Sequence, residues 1–234
     1  IFMKRKILLI DFLFFTMYES ELSDSLVCIK IIVMNTKAVI DIGGTNTRIA
    51  ISSDGQTLSS VEKFSTSQNF EEAVNKIASF LMNKNISQLV IGIAGQIDRK
   101  NNFLLQSPHL PQWHKKDLAK VLAEKINANV FLENDTALAG LAEANQPNIK
   151  QYLIVGYLSI GTGVGGVRIV NGKIDFSSQG FEPGHQIIIP NGKEWPYCGQ
   201  HGCLEAYVSG TGWGMSNDFS DEYYRQLAQG LTNL

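Results

Sequence analysis

The residues with the clearest chemical potential are glycines set beside hydroxyls, amides and carboxylates. Asp41, Gly43, Gly44, Thr45 and Asn46 fall in the run Ile-Asp-Ile-Gly-Gly-Thr-Asn-Thr-Arg. Glycines let backbone N–H groups come close to an anion, and the hydroxyl and amide that follow add donors. A carboxylate at the mouth of such a turn is suited to a hydrated Mg²⁺. Gly161, Thr162 and Gly163, followed by Gly165 and Gly166, repeat the arrangement later in the chain. Either run alone also reads as an ordinary tight turn. Asn134-Asp135 closes an apolar run and opens a helical one. At that junction a carboxylate is an ordinary helix cap, or faces a ligand crevice and accepts a proton from a hydroxyl. Cys198, His201 and Cys203, preceded by Glu182 and His185, read equally as part of a zinc site and as two partly buried thiols, because four zinc ligands are not evident.

These groups need elements to hold them. The apolar run 38–42 predicts a buried strand, and a second strand resumes at Thr47 across the glycine turn. Asp54-Gly55 predicts a further hairpin turn into a strand near 57–64. Residues 70–82 predict a helix with Phe70, Ala73, Val74, Ile77, Ala78 and Leu81 on one face. A strand is expected at 89–93, a helix at 118–126, a strand at 130–132 and a helix at 136–144. Strands separated by helices argue for an α/β fold with a largely buried sheet. The polar stretch around Pro147 predicts a domain boundary, after which a strand at 152–158 leads into the second glycine turn. A strand follows that turn where a dinucleotide-binding fingerprint would have a helix. Two glycine hairpins, one per domain, are expected to grip a polyphosphate across a cleft.

Composition narrows the function classes. The chain has 234 residues, 44% hydrophobic and 18% charged, which fits a globular protein with a real core. A net charge of −2 leaves no basic footprint, so no nucleic-acid partner is expected. Three cysteines make no disulfide framework and fit a reducing compartment. Residues 1–33 differ in character from the rest. Lys4-Arg5-Lys6 precedes an apolar run at 7–15 that Asp11 interrupts, with no small-residue cleavage site after it. That run is shorter than the ~20 residues that span a bilayer, so no membrane partner is expected. Met34 is the expected natural start, with 1–33 a non-native or disordered leader.

The ordered set of motifs resembles the ROK family of sugar kinases and sugar-responsive repressors. The resemblance runs from about Lys37 to the end of the chain. It covers the run Asp41 to Thr47, Gly92-Ile93-Ala94-Gly95, Ser107-Pro108-His109-Leu110-Pro111-Gln112-Trp113 and Glu133-Asn134-Asp135. It continues through the Gly161 to Gly166 hairpin, Glu182-Pro183-Gly184-His185 and Gly202-Cys203-Leu204-Glu205. It implies an actin-like ATPase (ribonuclease H-like) two-domain fold with a cleft between the domains. The expected division is 34–147, carrying the first phosphate hairpin and the catalytic Asp, and 148–234, carrying the second hairpin and the sugar motif. By resemblance Asp135 is the catalytic base, and Asn134, Glu182, His185 and Glu205 form the sugar-binding set. Asp41, Gly43, Gly44, Thr45, Asn46, Gly161, Thr162 and Gly163 form the phosphate and Mg²⁺ apparatus. His185, Cys198 and Cys203 are the implied zinc ligands.

The implied activity is phosphorylation of a hexose from Mg·ATP, with glucose or a related aldohexose as substrate and the 6-hydroxyl as acceptor. A cytoplasmic location follows from ATP dependence and free thiols, and the resemblance admits a homodimer. Pro196 stands where zinc-binding members carry a first cysteine, and His109 where glucokinase-like members tend to have Asn. The last residues, 222–234, resemble the helix that precedes the family's adenosine-binding segment, so the second domain is expected to be incomplete. The alternative is a sugar-binding ROK protein without kinase activity, either repressor-like or a truncated paralogue. Residues 1–33 show no pair of amphipathic helices for a helix-turn-helix.

Overall fold

The computed structural model describes residues 36–175, 181–214, 219–232 and 234. The expected leader at 1–33 lies outside the described residues. The chain divides into two compact units, the first ending at Ala142 and the second running Glu143–Leu234.

The first unit is built on a five-stranded sheet. Strand β1 (Thr36–Ile42) turns through the glycines into β2 (Asn46–Ser52), and β3 (Glu62–Ser65) pairs on the far side of β2. β4 (Ile86–Ile93) runs parallel to β1, and β7 (Asn129–Asn134) parallel to β4, giving the order β3-β2-β1-β4-β7. Side chains alternate between the two faces of a strand. Ala38, Ile40 and Ile42 of β1, with Leu89, Ile91 and Ile93 of β4, therefore enter one core, while Val39 and Val90 enter another with Ala50. Helices α1 (Phe70–Leu81) and α2 (Leu118–Ile126) cover the first face. Helix α3 (Asp135–Ala144) reaches the opposite face through Leu138.

Local signals explain the helix ends. Asn69 accepts the Glu72 N–H at 3.1 Å, and Glu71 and Glu72 sit in the first turn, where the helix dipole favours negative charge. All six residues predicted on the buried face of α1 are buried. Asp117 caps α2, which ends at Asn127 in the left-handed conformation with Lys125 in its last turn.

The third strand departs from expectation, beginning at Glu62 rather than near 57. Asp54 Oδ1 takes the N–H groups of Gln56 and Thr57 and the Ser52 hydroxyl, and the Ser59 hydroxyl takes the Ile51 N–H. Side chains thus occupy the backbone donors that a ladder would have used. A short hairpin, β5 (Gln96–Asp98) and β6 (Phe103–Gln106), has no counterpart in the sequence reading. It leads to a 3₁₀ turn, Pro111–Trp113. Trp113 is wholly buried there, edge-on to Phe70 at 5.6 Å, and its indole N–H donates to Gln68 O at 3.2 Å.

In the second unit, β8 (Ile154–Ile160) and β9 (Val164–Val170) form an antiparallel hairpin across the second glycine turn, and β10 (Lys173–Ile174) adds to β9. β8 begins two residues later than predicted because its partner ends at Val170, where Asn171 and Gly172, both at positive φ, turn the chain. After a 3₁₀ turn at Pro183–His185 come the two-residue strands β11 (Glu194–Trp195) and β12 (Gln200–His201), then α4 (Leu204–Val208) and α5 (Asp221–Thr232). Val164, Ile188, Leu204, Val208 and Tyr223 form its main core.

Trp113 couples the 3₁₀ turn to α1, so its removal tests how far that segment depends on core packing. Trp113→Ala is expected to lower unfolding free energy by about 3–5 kcal/mol, read as a drop in the urea midpoint with unchanged slope. A loss below about 1 kcal/mol, the size of an ordinary surface change, would contradict this packing role.

Candidate active site

The parallel strands of the first unit end in step. Ile42 pairs with Ile93, and Ile93 with Asn134. The glycine turn after β1, the Ala94-Gly95 turn after β4 and Asn134-Asp135 after β7 therefore leave the sheet along one edge. The carboxyl edge of a parallel sheet is where open α/β folds place ligands.

At the first turn, Gly43 N donates to Asn46 O at 2.9 Å, and Thr45 O accepts Thr66 N–H at 2.9 Å. A side chain on Gly44 would overlap the His109 Cβ, so only glycine allows residue 109 to close over this turn. Gln68 Nε2 donates to His109 O at 3.2 Å and fixes that approach. Asp41 accepts from Arg48 Nη1 at 2.9 Å, its register partner across the hairpin. Both side chains are about one-third exposed, 33% and 31%, so the pair orients the carboxylate more than it stabilises the fold.

Asn134 bonds through both ends of its side-chain amide. Its Oδ1 caps α3 by accepting from Thr136 N at 2.9 Å and Ala137 N at 3.1 Å, and its Nδ2 donates to Gly95 O at 3.1 Å. Asp135 follows as the first residue of α3, and its Oδ1 accepts the Thr136 N–H at 2.8 Å. The cap expected at this junction is thus made chiefly by Asn134, which presents Asp135 in the first helical turn at the sheet edge.

The second unit gathers the other candidates around its glycine turn. Glu205 Oε2 accepts the Val164 N–H at 2.6 Å, and Oε1 accepts the Trp195 indole N–H at 2.7 Å. A Cβ on Gly163 would stand 2.7 Å from Glu205 Oε2, so this turn is shaped to the carboxylate. Gly161 N donates to Gly163 O at 2.9 Å, and Gly161 O and Thr162 O accept N–H groups from Gly210 and Thr211. Desolvation by the protein around Glu182 raises its carboxyl pKa. His185 opposes that rise and Glu205 adds to it. Among the described residues three buried polar atoms here, His185 Nδ1 and both amide atoms of Gln186, have no hydrogen-bond partner, although buried polar atoms normally find one. Gln186 and Trp195 do not stand out in the sequence: nothing marks a lone Trp as bonding a carboxylate, as Trp195 does, or a lone Gln as buried, as the Gln186 amide is.

The comparisons with known proteins bear on this arrangement. The ROK family model matches residues 37–226. The chain belongs to the ROK family. It is 33% identical over 180 residues to the glucokinase of Thermotoga maritima, covering 74% of this chain and 56% of that protein. It is 28% identical over 207 residues to the N-acetyl-D-glucosamine kinase of Escherichia coli O127:H6, covering 81% and 67%. The chain thus spans little more than half the length of the first of these relatives. Among solved structures it is similar to the ROK family glucokinase of Streptomyces griseus in complex with glucose and AMPPNP. That match has 26% identity and a TM-score of 0.59, and covers 76% of this chain and 58% of that one. The ROK hexokinase of Thermus thermophilus matches with a TM-score of 0.67 at 22% identity, covering 83% and 73%. The fold is therefore that of the ROK sugar kinases, an α/β actin-like ATPase fold.

Zinc at His185, Cys198 and Cys203, implied by the ROK resemblance, is not shown here. Among the described residues no three His, Cys, Asp or Glu side chains lie close enough to share an ion. Cys203 is buried, and burial pushes its thiol pKa up. The Ala206 N–H offsets this in part, and neighbouring Cys198 adds to it. His201 is exposed on β12 with Nδ1 3.4 Å from Gly192 O, and Pro196 offers no donor atom. Packing holds the loop: Trp195, Cys203 and Ala206 form a small core against which Cys198 and Tyr207 lie. No helix among the described residues is long and apolar enough to cross a membrane.

The raised pKa of Glu182 has a readable consequence. A carboxyl whose folded pKa lies above its unfolded value keeps a proton in the native state that the unfolded chain has already released. Its contribution to stability is full below the unfolded pKa and is lost as pH rises through the folded one. Glu182→Gln should therefore become more stable relative to the parent as pH rises from about 4, near the usual carboxylate value, to 7. The check is the difference in thermal midpoints across that range. A pH-independent difference would contradict the desolvated environment of the carboxyl.

Proposed function

We propose that this chain carries the sugar and phosphate machinery of an ATP-dependent hexose kinase, with glucose or a related aldohexose as acceptor, phosphorylated at the 6-hydroxyl. The observation that carries the reading is the shared edge of β1, β4 and β7, which sets the glycine turn and Asp135 at one level in a ROK chain. The named glucokinase and N-acetylglucosamine kinase relatives support sugar phosphorylation in general. The glucose and AMPPNP held by the Streptomyces enzyme support ATP as donor.

In this reading a neutral hexose offers only hydroxyls, so carboxylates and amides must recognise it. Glu182, His185 and Glu205 would read the ring, with the unpartnered Nδ1 of His185 as one free position, and Asn134 would contribute beside Asp135. The Asp135 carboxylate would take the proton of the acceptor hydroxyl as its oxygen attacks the γ-phosphorus and the bond to the β,γ-bridging oxygen breaks. Phosphoryl transfer is mainly a matter of positioning and charge stabilisation. Backbone N–H groups of the Gly43-Gly44 and Gly161–163 turns would supply part of that stabilisation, and Asp41 would hold the Mg²⁺ that enters with the nucleotide. No step uses zinc.

A second reading is a sugar-binding ROK protein without kinase activity; its support is weak, a likeness of fold to a ROK family transcriptional regulator with a TM-score of 0.69 at 22% identity. One experiment separates the two: ADP formation from Mg·ATP with glucose, mannose, N-acetylglucosamine, N-acetylmannosamine and fructose in turn. Sugar-dependent ADP release is expected with one of them. Sugar binding with no ADP release under any condition would favour the second reading. Asp135→Asn is expected to keep sugar affinity and to lose about 100-fold or more in turnover, as removal of a positioned general base does. Turnover within a few-fold of the parent would refute Asp135 as the base.

A further inference from the structure

We propose that Arg99 and Glu133, together with Asn102, form a clamp that positions Asp135. The proposal rests on the reading of Asp135 as the base. Among the described residues β7 is the last strand of its sheet, so one of its edges has no neighbouring strand. The turn after β5 supplies that neighbour with side chains. Asn102 donates from Nδ2 to Val130 O at 2.6 Å and accepts the Leu132 N–H on Oδ1 at 2.7 Å, reproducing one step of a β-ladder.

One residue further along β7, Arg99 grips Glu133 with both forks, Nε to Oε2 at 2.7 Å and Nη2 to Oε1 at 2.8 Å. Glu133 Oε1 also accepts the Asn134 N–H at 2.7 Å. The next side chain, Asn134, donates to Gly95 O at 3.1 Å. Residues 95–102 therefore hold β7 at Val130, Leu132, Glu133 and Asn134 in succession, and Asp135 is the first residue beyond the last hold.

The chemistry favours stiffness. Glu133 is only 9% exposed, and a carboxylate that buried is tolerated when it is paired and hydrogen-bonded. A planar guanidinium meeting a carboxylate through two parallel bonds fixes orientation as well as distance, which a lysine ammonium cannot do. Because the same carboxylate also holds the Asn134 amide, a shift of Arg99 passes directly to the main chain that carries Asp135. Arg99 and Glu133 are positioning residues: their roles act through Asp135 and not on the sugar.

Two measurements test the clamp. The first is hydrogen exchange of the intact protein. In Arg99→Ala, peptides covering 131–138 should exchange about 10-fold faster or more, while peptides of β1 and β2 keep the parent rate, because local opening is confined to the freed element. Unchanged protection at 131–138 would overturn the proposal, whether or not the chain is active.

The second is steady-state kinetics with the hexose that supports ADP release. Arg99→Ala and Glu133→Gln should each lower kcat by about 10- to 100-fold, the scale of a misplaced catalytic group, with the hexose KM changed by less than about threefold. Arg99→Lys should recover part of the loss. The double variant should be no slower than the slower single one, as for residues acting as a unit. A lowered thermal midpoint with unchanged kcat would overturn the catalytic side and leave a structural pair. Absence of sugar-dependent turnover in the parent chain would instead count against the kinase reading, and the exchange result would still decide whether the clamp exists.

Discussion

Pairing of β1, β4 and β7 in parallel, with Ile42, Ile93 and Asn134 at one level, is the constraint on which the first unit depends. Parallel strands must be joined by long crossovers, and α1 and α2 lie within those crossovers, where their apolar faces cover the sheet. The geometry has a chemical by-product. All three chain exits fall on one edge, so residues remote in sequence, Gly44, Gly95 and Asp135, become neighbours of one surface without any of them having to reach. A one-residue slip of β7 would turn Leu132 out of the core and move Asn134 off the cap at the same time. Core packing and site geometry are thus enforced by the same register.

The second unit arrives at a comparable turn by a different route. β8 and β9 form an antiparallel hairpin as β1 and β2 do, but among the described residues β8 has no parallel neighbour to set its turn on a shared edge. It is fixed from outside by Glu205 at the start of α4, whose two oxygens hold the Val164 N–H and the Trp195 indole. Bonds to a charged acceptor are roughly twice as strong as neutral ones. One carboxylate therefore ties the glycine turn, the β11–β12 loop and α4 together. A sugar-reading role for Glu205 in the proposed kinase would build on that fixed position, with Gln186 and His185 Nδ1 nearby as the unsatisfied groups.

Long periodic elements were legible in the sequence, and short ones were not. The face of α1 and the bounds of α2 follow from apolar spacing and from Asn69 and Asp117 as caps. The two glycine turns were marked by composition alone. The β5–β6 hairpin was missed because strands of three and four residues carry too little alternation to stand out. β3 was placed too early because Asp54-Gly55 signals a turn but not that Asp54 will take the following N–H groups for itself. Of the proposed site residues, Asp135 stood out by its place where a strand gives way to a helix, whereas Glu205 was marked only by the ROK resemblance. Arg99 gave no signal, since a surface arginine and a carboxylate clamp look the same until Glu133 is brought to 2.7 Å.

Packing and side-chain hydrogen bonds hold the loop from Glu194 to Cys203. Trp195 anchors it: it is 4% exposed, shares a core with Cys203 and Ala206, lies 5.1 Å from Tyr197 with the two rings tilted by 59°, and donates its indole N–H to Glu205. Lys193 extends the brace with its N–H to the Tyr207 hydroxyl at 2.7 Å and its ammonium to Gly212 O at 2.8 Å. Burial of an indole stabilises by area and needs no ion. The indole bond thus ties the position of Glu205 to the fit of a tryptophan, with Cys203 in the same small core and Cys198 packed against it.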